Sequence, residues 1–137
     1  MKKRHGIVGV IIIILDQLVK FFVINKNIVV IPNFLKITYT ENFGAAFGMG
    51  TKYIVLAFSI IIIIGILVFM KKEKNKIKNY WPYILILSGA IGNLIDRVFR
   101  GYVIDFIDVN ILNFPNFNIA DICIVVGATL GAVLFIT

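Results

Sequence analysis

Four long apolar runs set the pattern of this chain: residues 6–24, 53–70, 81–99 and 118–137. A helix needs about 20 residues to cross a hydrocarbon layer ~30 Å thick, so each run predicts a membrane span. The second holds five consecutive isoleucines, Ile60–Ile64, and Lys71-Lys72-Glu73-Lys74-Asn75-Lys76-Ile77-Lys78 stops it. Pro82 suits the first turn of the third. The first run follows Met1-Lys2-Lys3-Arg4-His5, as the apolar part of a signal peptide does. Asp16, Gln17 and Lys20 stand where a small-x-small cleavage site would follow, so it reads as a retained span. Between the first two runs the pattern changes. Ile28–Ile31 is β-branched, Pro32-Asn33 signals a turn, and Leu35–Thr40 alternates apolar with polar. The expected fold is an all-α membrane protein, one polytopic domain over residues 1–137, with four transmembrane helices and a small extracytoplasmic β-sheet.

Composition agrees. Of 137 residues, 60% are hydrophobic and 15% charged, against roughly 45–50% and about 25% in soluble domains. A soluble domain, a disordered chain and a disulfide scaffold are excluded. The net charge of +7 reads as an orientation signal rather than a nucleic-acid surface. Lys2, Lys3, Arg4 and the five lysines of residues 71–78 lie on one side; Lys26, Lys36, Lys52 and Arg100 lie on the other. The excess places both termini and the lysine-rich loop in the cytoplasm. The loops near 25–52 and 100–117 then face outward.

Charge inside a span is costly, so it is either paired or functional. Lys20 stands at i+4 from Asp16, where the two can neutralise each other and fix helix packing. Gly89, Asn93, Asp96 and Arg97 share one stripe of the third span. Asp96 and Arg97 read either as a structural ion pair or as a pair in which Arg97 orients a substrate carbonyl or a catalytic carboxylate. Gly127 and Gly131 form a G-x-x-x-G packing pattern.

Asp105 and Asp121 are expected at one depth, at the outer ends of spans three and four. Taken singly, Asp121 reads as part of a helix cap begun by Asn118, and Asp105 as a solvated loop acid like its neighbour Asp108. Brought together at a low-dielectric edge, two carboxylates share a proton, as an aspartic protease requires. Other catalysts lack parts. His5 is at the opposite end from the outer acids, so Ser59 and Ser88 have no histidine base. No His-Glu-x-x-His motif exists. Cys123 has no nearby histidine and reads as a small apolar residue. The stretch Asn42–Gly50 is either a flexible turn or a place where a substrate backbone lies close to Asn42 and Gly44. A transporter or proton relay, and a non-catalytic assembly factor, are the rival readings of such intramembrane acids.

Five blocks in order carry a resemblance: Asp16-Gln17-Leu18-Val19-Lys20, Asn42-Phe43-Gly44-Ala45-Ala46-Phe47-Gly48, Gly92-Asn93-Leu94-Ile95-Asp96-Arg97, Gly101-Tyr102-Val103-Ile104-Asp105-Phe106 and Phe117-Asn118-Ile119-Ala120-Asp121. In these the chain resembles the lipoprotein signal peptidases, signal peptidase II of bacteria, over nearly its whole length. The resemblance implies an aspartyl endopeptidase of the bacterial cytoplasmic membrane, with its active site at the outer face. It would cut prolipoproteins just before a diacylglyceryl-modified cysteine. It implies catalytic roles for Asp105 and Asp121. Asn42, Gly44, Asn93, Arg97, Asn118 and Ala120 match positions around the substrate and the acid pair, and Asp16, Lys20 and Asp96 match architectural positions. The expected partners are the lipid-modified prolipoprotein and membrane lipids, with no nucleic acid, metal or cofactor, and the chain is expected to be a monomer.

Overall fold

The structure is a computed structural model, described over residues 3–44 and 49–136, with backbone only at 49–51. Four helices carry the apolar runs: α1 (Lys3–Phe22), α2 (Met49–Lys72), α3 (Trp81–Phe99) and α4 (Ile119–Ile136). All four are long and apolar enough to cross a membrane. Three strands, β1 (Asn27–Ile31), β2 (Leu35–Asn42) and β3 (Val103–Val109), form one antiparallel sheet in the order β1-β2-β3.

α3 is the centre of the bundle: α1, α2 and α4 each pack on it, while among the described residues α2 packs on neither α1 nor α4. The sequence explains this. α3 carries the polar stripe, and Ser88, Asn93 and Asp96 are buried. α2 is apolar all round, and Ile54, Phe58, Ile61 and Ile64 are exposed. In water that surface would associate; in lipid it is the solvated face of a span. Small residues allow the helices to approach. A Cβ on Gly89 would collide with the Ala120 carbonyl oxygen, and one on Gly92 would lie 2.7 Å from Asp16 Oδ2. Gly127 is as tightly placed: a Cβ there would lie 2.8 Å from Ile86 Cγ1 and from the Pro82 carbonyl oxygen, so this half of the G-x-x-x-G pattern packs within the chain.

The first outer loop folds as its pattern predicts. Asn33 takes the left-handed conformation (φ 61°) in the turn between β1 and β2. The third strand is the addition. In sequence, residues 101–106 read as a motif following span three and the segment up to 117 as loop. In the structure β3 pairs with β2, placing Asp105 opposite Thr40 and Val103 opposite Asn42. Residues 103–106 are all buried, so they show no alternation to read. Val23, Ile104 and Phe106 form the core where the sheet meets the bundle, with Val19, Ile37, Tyr39 and Ile119 packed around them. The predicted helix ends shift by a few residues: α1 and α2 begin earlier, at Lys3 and Met49. Thr137, the expected end of span four, lies outside the described residues.

Candidate active site

Two sets of buried carboxylates meet near the sheet. The first is built on α1 and α3. Lys20 has no exposed surface, and its Nζ lies 2.8 Å from Asp16 Oδ2 and 2.9 Å from Asp96 Oδ2. It also donates to Asn93 Oδ1 at 3.2 Å, so its three N–H groups have three acceptors. Arg100 donates to Asp96 Oδ1 at 2.6 Å and to Gln17 Oε1 at 3.0 Å. Two acids and two bases thus balance. The ion-pair partners of Asp96 are Lys20 and Arg100, not its neighbour Arg97. Arg100, which the sequence analysis counts only as an outer-loop charge, belongs to this network. So does Gln17, whose Nε2 donates to Asp96 Oδ1 at 2.9 Å and to the Gly92 carbonyl at 3.1 Å. Spacing could have found Arg100, which is i+4 from Asp96; the Gln17 contacts cross between helices and leave no such signal.

The network grips two further elements by their backbones. Asp96 Oδ2 accepts the Ile104 N–H at 3.0 Å, and Asp16 Oδ1 accepts the Ala120 N–H at 3.0 Å. Ile104 immediately precedes Asp105, and Ala120 immediately precedes Asp121. Each network acid therefore fixes the chain one residue before one member of the second set.

That second set is Asp105 on β3 and Asp121 in the first turn of α4. Asn118 joins them. Its Nδ2 donates to Asp105 Oδ1 at 2.9 Å, and its backbone N–H donates to Asp121 Oδ2 at 3.1 Å. Asn118 Oδ1 accepts the Asp121 N–H at 2.9 Å, completing a reciprocal capping box at the start of α4. The cap read from the sequence and the acid pair are thus one structure. The remaining oxygens also meet amides: Asn93 Nδ2 donates to Asp121 Oδ1 at 2.9 Å, and Asn42 Nδ2 donates to Asp105 Oδ2 at 3.0 Å. Among the described residues neither carboxylate has a cation within 4 Å. Burial pushes the Asp105 carboxyl up to about 6; the hydrogen bond from Asn42 opposes this shift and the charge of Asp121 adds to it.

Arg97 is half-buried, interacts electrostatically with Asp121, Asp96 and Asp105, and donates to Ser59 Oγ of α2 at 3.3 Å. Ser59 was examined in the sequence only as a nucleophile; here it is a hydrogen-bond partner. Asn42 is exposed, and its Oδ1 accepts the Gly44 N–H at 2.8 Å, forming a turn in which Gly44 takes a positive φ of 78°. Residues 45–48 of the glycine-rich stretch lie outside the described residues. Ala120 has no exposed surface and packs under Gly89 and Gly92 in the contact between α3 and α4. Asn93 and Asn118 are likewise buried and face the acids. His5 lies at the far end of the bundle, packed edge-on against Trp81 with ring centres 4.6 Å apart.

The comparisons with known proteins point the same way. The sequence profile of the family described as signal peptidase (SPase) II matches residues 8–137. The chain is 39% identical to the lipoprotein signal peptidase of Halothermothrix orenii over 131 residues, covering 90% of this chain and 89% of the relative. It is 42% identical to that of Thermodesulfovibrio yellowstonii over 129 residues, covering 88% and 86%. A solved bacterial membrane enzyme, 34% identical, superposes with a TM-score of 0.83 over 96% of this chain and 92% of its own. A second, also 34% identical, gives 0.81 over 97% and 87%. This multi-pass membrane protein, with its four apolar helices and its sheet, belongs to the signal peptidase II family.

Proposed function

We propose that this chain is an aspartic endopeptidase that removes signal peptides from prolipoproteins, cutting just before a cysteine that carries diacylglycerol. Asp105 and Asp121 are the catalytic pair. One observation carries the reading: a single residue, Asn118, is hydrogen-bonded to both carboxylates. Two acids held together and away from water do not both ionise, so one proton is shared. Asp105, buried and pushed up to about 6, holds it. Asp121, half-buried in the first turn of α4, is left to act as the base.

The reaction follows from that division. Asp121 takes a proton from water as the water oxygen bonds to the scissile carbonyl carbon. Asp105 donates a hydrogen bond, then its proton, to the carbonyl oxygen. In the collapse of the tetrahedral intermediate that proton returns to Asp105, the C–N bond breaks, and the proton on Asp121 passes to the departing nitrogen. Arg97 stabilises the negative charge near the pair. Asn42 and Gly44 line the approach, where a glycine leaves room for a substrate backbone. Asn93 and Asn118 hold the acids, while Asp16, Lys20 and Asp96 hold the elements that carry them. The lipid on the substrate cysteine keeps the scissile bond at the membrane surface, the depth expected of this end of the bundle. Both termini and the lysine-rich loop are then cytoplasmic, the site is at the outer face of the bacterial membrane, and one chain supplies every group named.

The test uses purified enzyme and a diacylglyceryl-modified prolipoprotein. Asp105→Asn and Asp121→Asn should each abolish cleavage while the protein unfolds at an unchanged temperature. Normal cleavage by either variant overturns the assignment.

A further inference from the structure

The opposite end of the molecule carries a cavity that the proposed reaction does not use. It has a volume of about 500 Å³ and lies where the ends of α2 and α4 flank the start of α3. Phe69, Pro82, Tyr83, Gly131, Leu134 and Phe135 supply an apolar wall, and Glu73, Lys76, Lys78 and Asn79 a polar rim. Among the described residues α2 and α4 both rest on α3 and do not pack on each other.

The rim is a built loop. Lys76 N and Ile77 N donate to the Glu73 carbonyl at 2.8 and 3.1 Å, and Tyr80 Oη donates to the Lys74 carbonyl at 3.0 Å. Asn79 Oδ1 accepts the Trp81 N–H at 3.0 Å, which leaves the Asn79 amide NH2 as a donor. The wall is fixed by Phe69 and Tyr83, whose ring centres are 5.6 Å apart. Across residues 71–78 there are five lysines and one acid, Glu73, which is already paired with Lys76 at 2.8 Å. The local charge is strongly positive, and the apolar wall sits directly beneath it.

From this juxtaposition we infer that the cavity binds one anionic phospholipid, its phosphate among Lys76, Lys78 and Asn79 and an acyl chain against Phe69, Leu134 and Phe135. Clusters of four or more basic residues beside a span attract anionic headgroups, and here the cluster borders a cavity open to acyl chains. The lipid fills the gap between two helices that lack direct contact, so its binding stabilises the fold by mass action. The inference does not depend on the chemistry assigned to the other end.

The test is native mass spectrometry and thermal unfolding of the detergent-solubilised full chain, titrated with phosphatidylglycerol, with phosphatidylcholine or with inorganic phosphate. Phosphatidylglycerol should give a one-to-one adduct and raise the unfolding temperature by several degrees; the other two should do neither. The double variant Lys76→Gln/Lys78→Gln should weaken the adduct at least tenfold. Lys71→Gln/Lys72→Gln, which removes as much charge outside the cavity, should leave it. Gly131→Leu, which fills the cavity with all charges intact, should also weaken it. Equal loss in the two lysine pairs, full binding by Gly131→Leu, or equal binding of phosphatidylcholine would overturn the inference.

Discussion

The two sets of carboxylates are joined through the backbone of the residues just before Asp105 and Asp121 and are held in opposite ways. Asp16 and Asp96 are bonded to Lys20 and Arg100, two acids against two bases. Asp105 and Asp121 are held by Asn42, Asn93 and Asn118, neutral donors that fix position without fixing charge. A salt-bridged acid is an anchor. An acid held by amides can still gain and lose a proton, which the proposed chemistry requires. The sets are joined through the N–H groups of Ile104 and Ala120, and through Asn93, which accepts from Lys20 and donates to Asp121.

The largest expected difference is between activity and stability. Asp105→Asn and Asp121→Asn should lower kcat by ~10²–10⁴, the range of general acid–base catalysis, with little change in unfolding temperature. Lys20→Met should do the reverse first. It leaves two buried carboxylates without their shared cation, a loss of about 3–5 kcal/mol, seen as a large fall in unfolding temperature. Adding Asp16→Asn to Lys20→Met should recover part of that stability. If Lys20→Met folds as well as the native chain, the division between anchor and chemistry fails.

Asn118 both caps α4 and holds the acid pair, so its variants sharpen the comparison. Asn118→Ala removes the cap of α4, worth about 1 kcal/mol, together with the donor to Asp105. Asn118→Ser keeps a capping oxygen and loses only the amide. The serine variant should regain most of the stability lost by the alanine variant yet remain impaired in turnover by roughly 10²-fold, comparable to loss of one preorganised donor. Equal turnover by the serine variant and the native chain would make Asn118 a cap and nothing more.

The sequence shows the anchors and the acid pair as residues but not their partners. Apolar length and lysine placement are strong signals, so the four spans are legible. The Asp16–Lys20 pair is local, one helical turn apart. Lys20 to Asp96 is not, since it joins two spans, and neither is the grip of Asp96 on Ile104. The adjacent Arg97 drew the pairing because neighbours in sequence are easily seen, although i+4 geometry favours Arg100. β3 escaped because its first four residues are buried, which erases the period-two signal that exposes β2. Its Val-Ile-x-Phe-Ile-x-Val composition was the available clue.

The smallest expected effect tests the titratable character of the pair. Burial raises the Asp105 carboxyl to about 6 and the Asn42 amide, by favouring the ionised form, lowers it. The sign follows. A folded value above the unfolded one means the proton is favoured by folding below about 4 and that this contribution is lost as pH rises through about 6. In the proposed reaction the protonated member is needed, so kcat/KM falls as pH rises through the same limb. Asn42→Ala removes a donor to the ionised form, so the limb should move to higher pH. Asn42 is exposed, which keeps the displacement near ~0.5–1 pH unit, at 1.36 kcal/mol per unit. Lys20 also lowers the Asp105 value, by its charge rather than by direct bonding. A Lys20→Met enzyme that still folds should therefore shift the limb in the same direction as Asn42→Ala. A shift to lower pH in Asn42→Ala would mean that the proton required for turnover sits elsewhere, and the assignment of Asp105 as the acid would be reversed with Asp121.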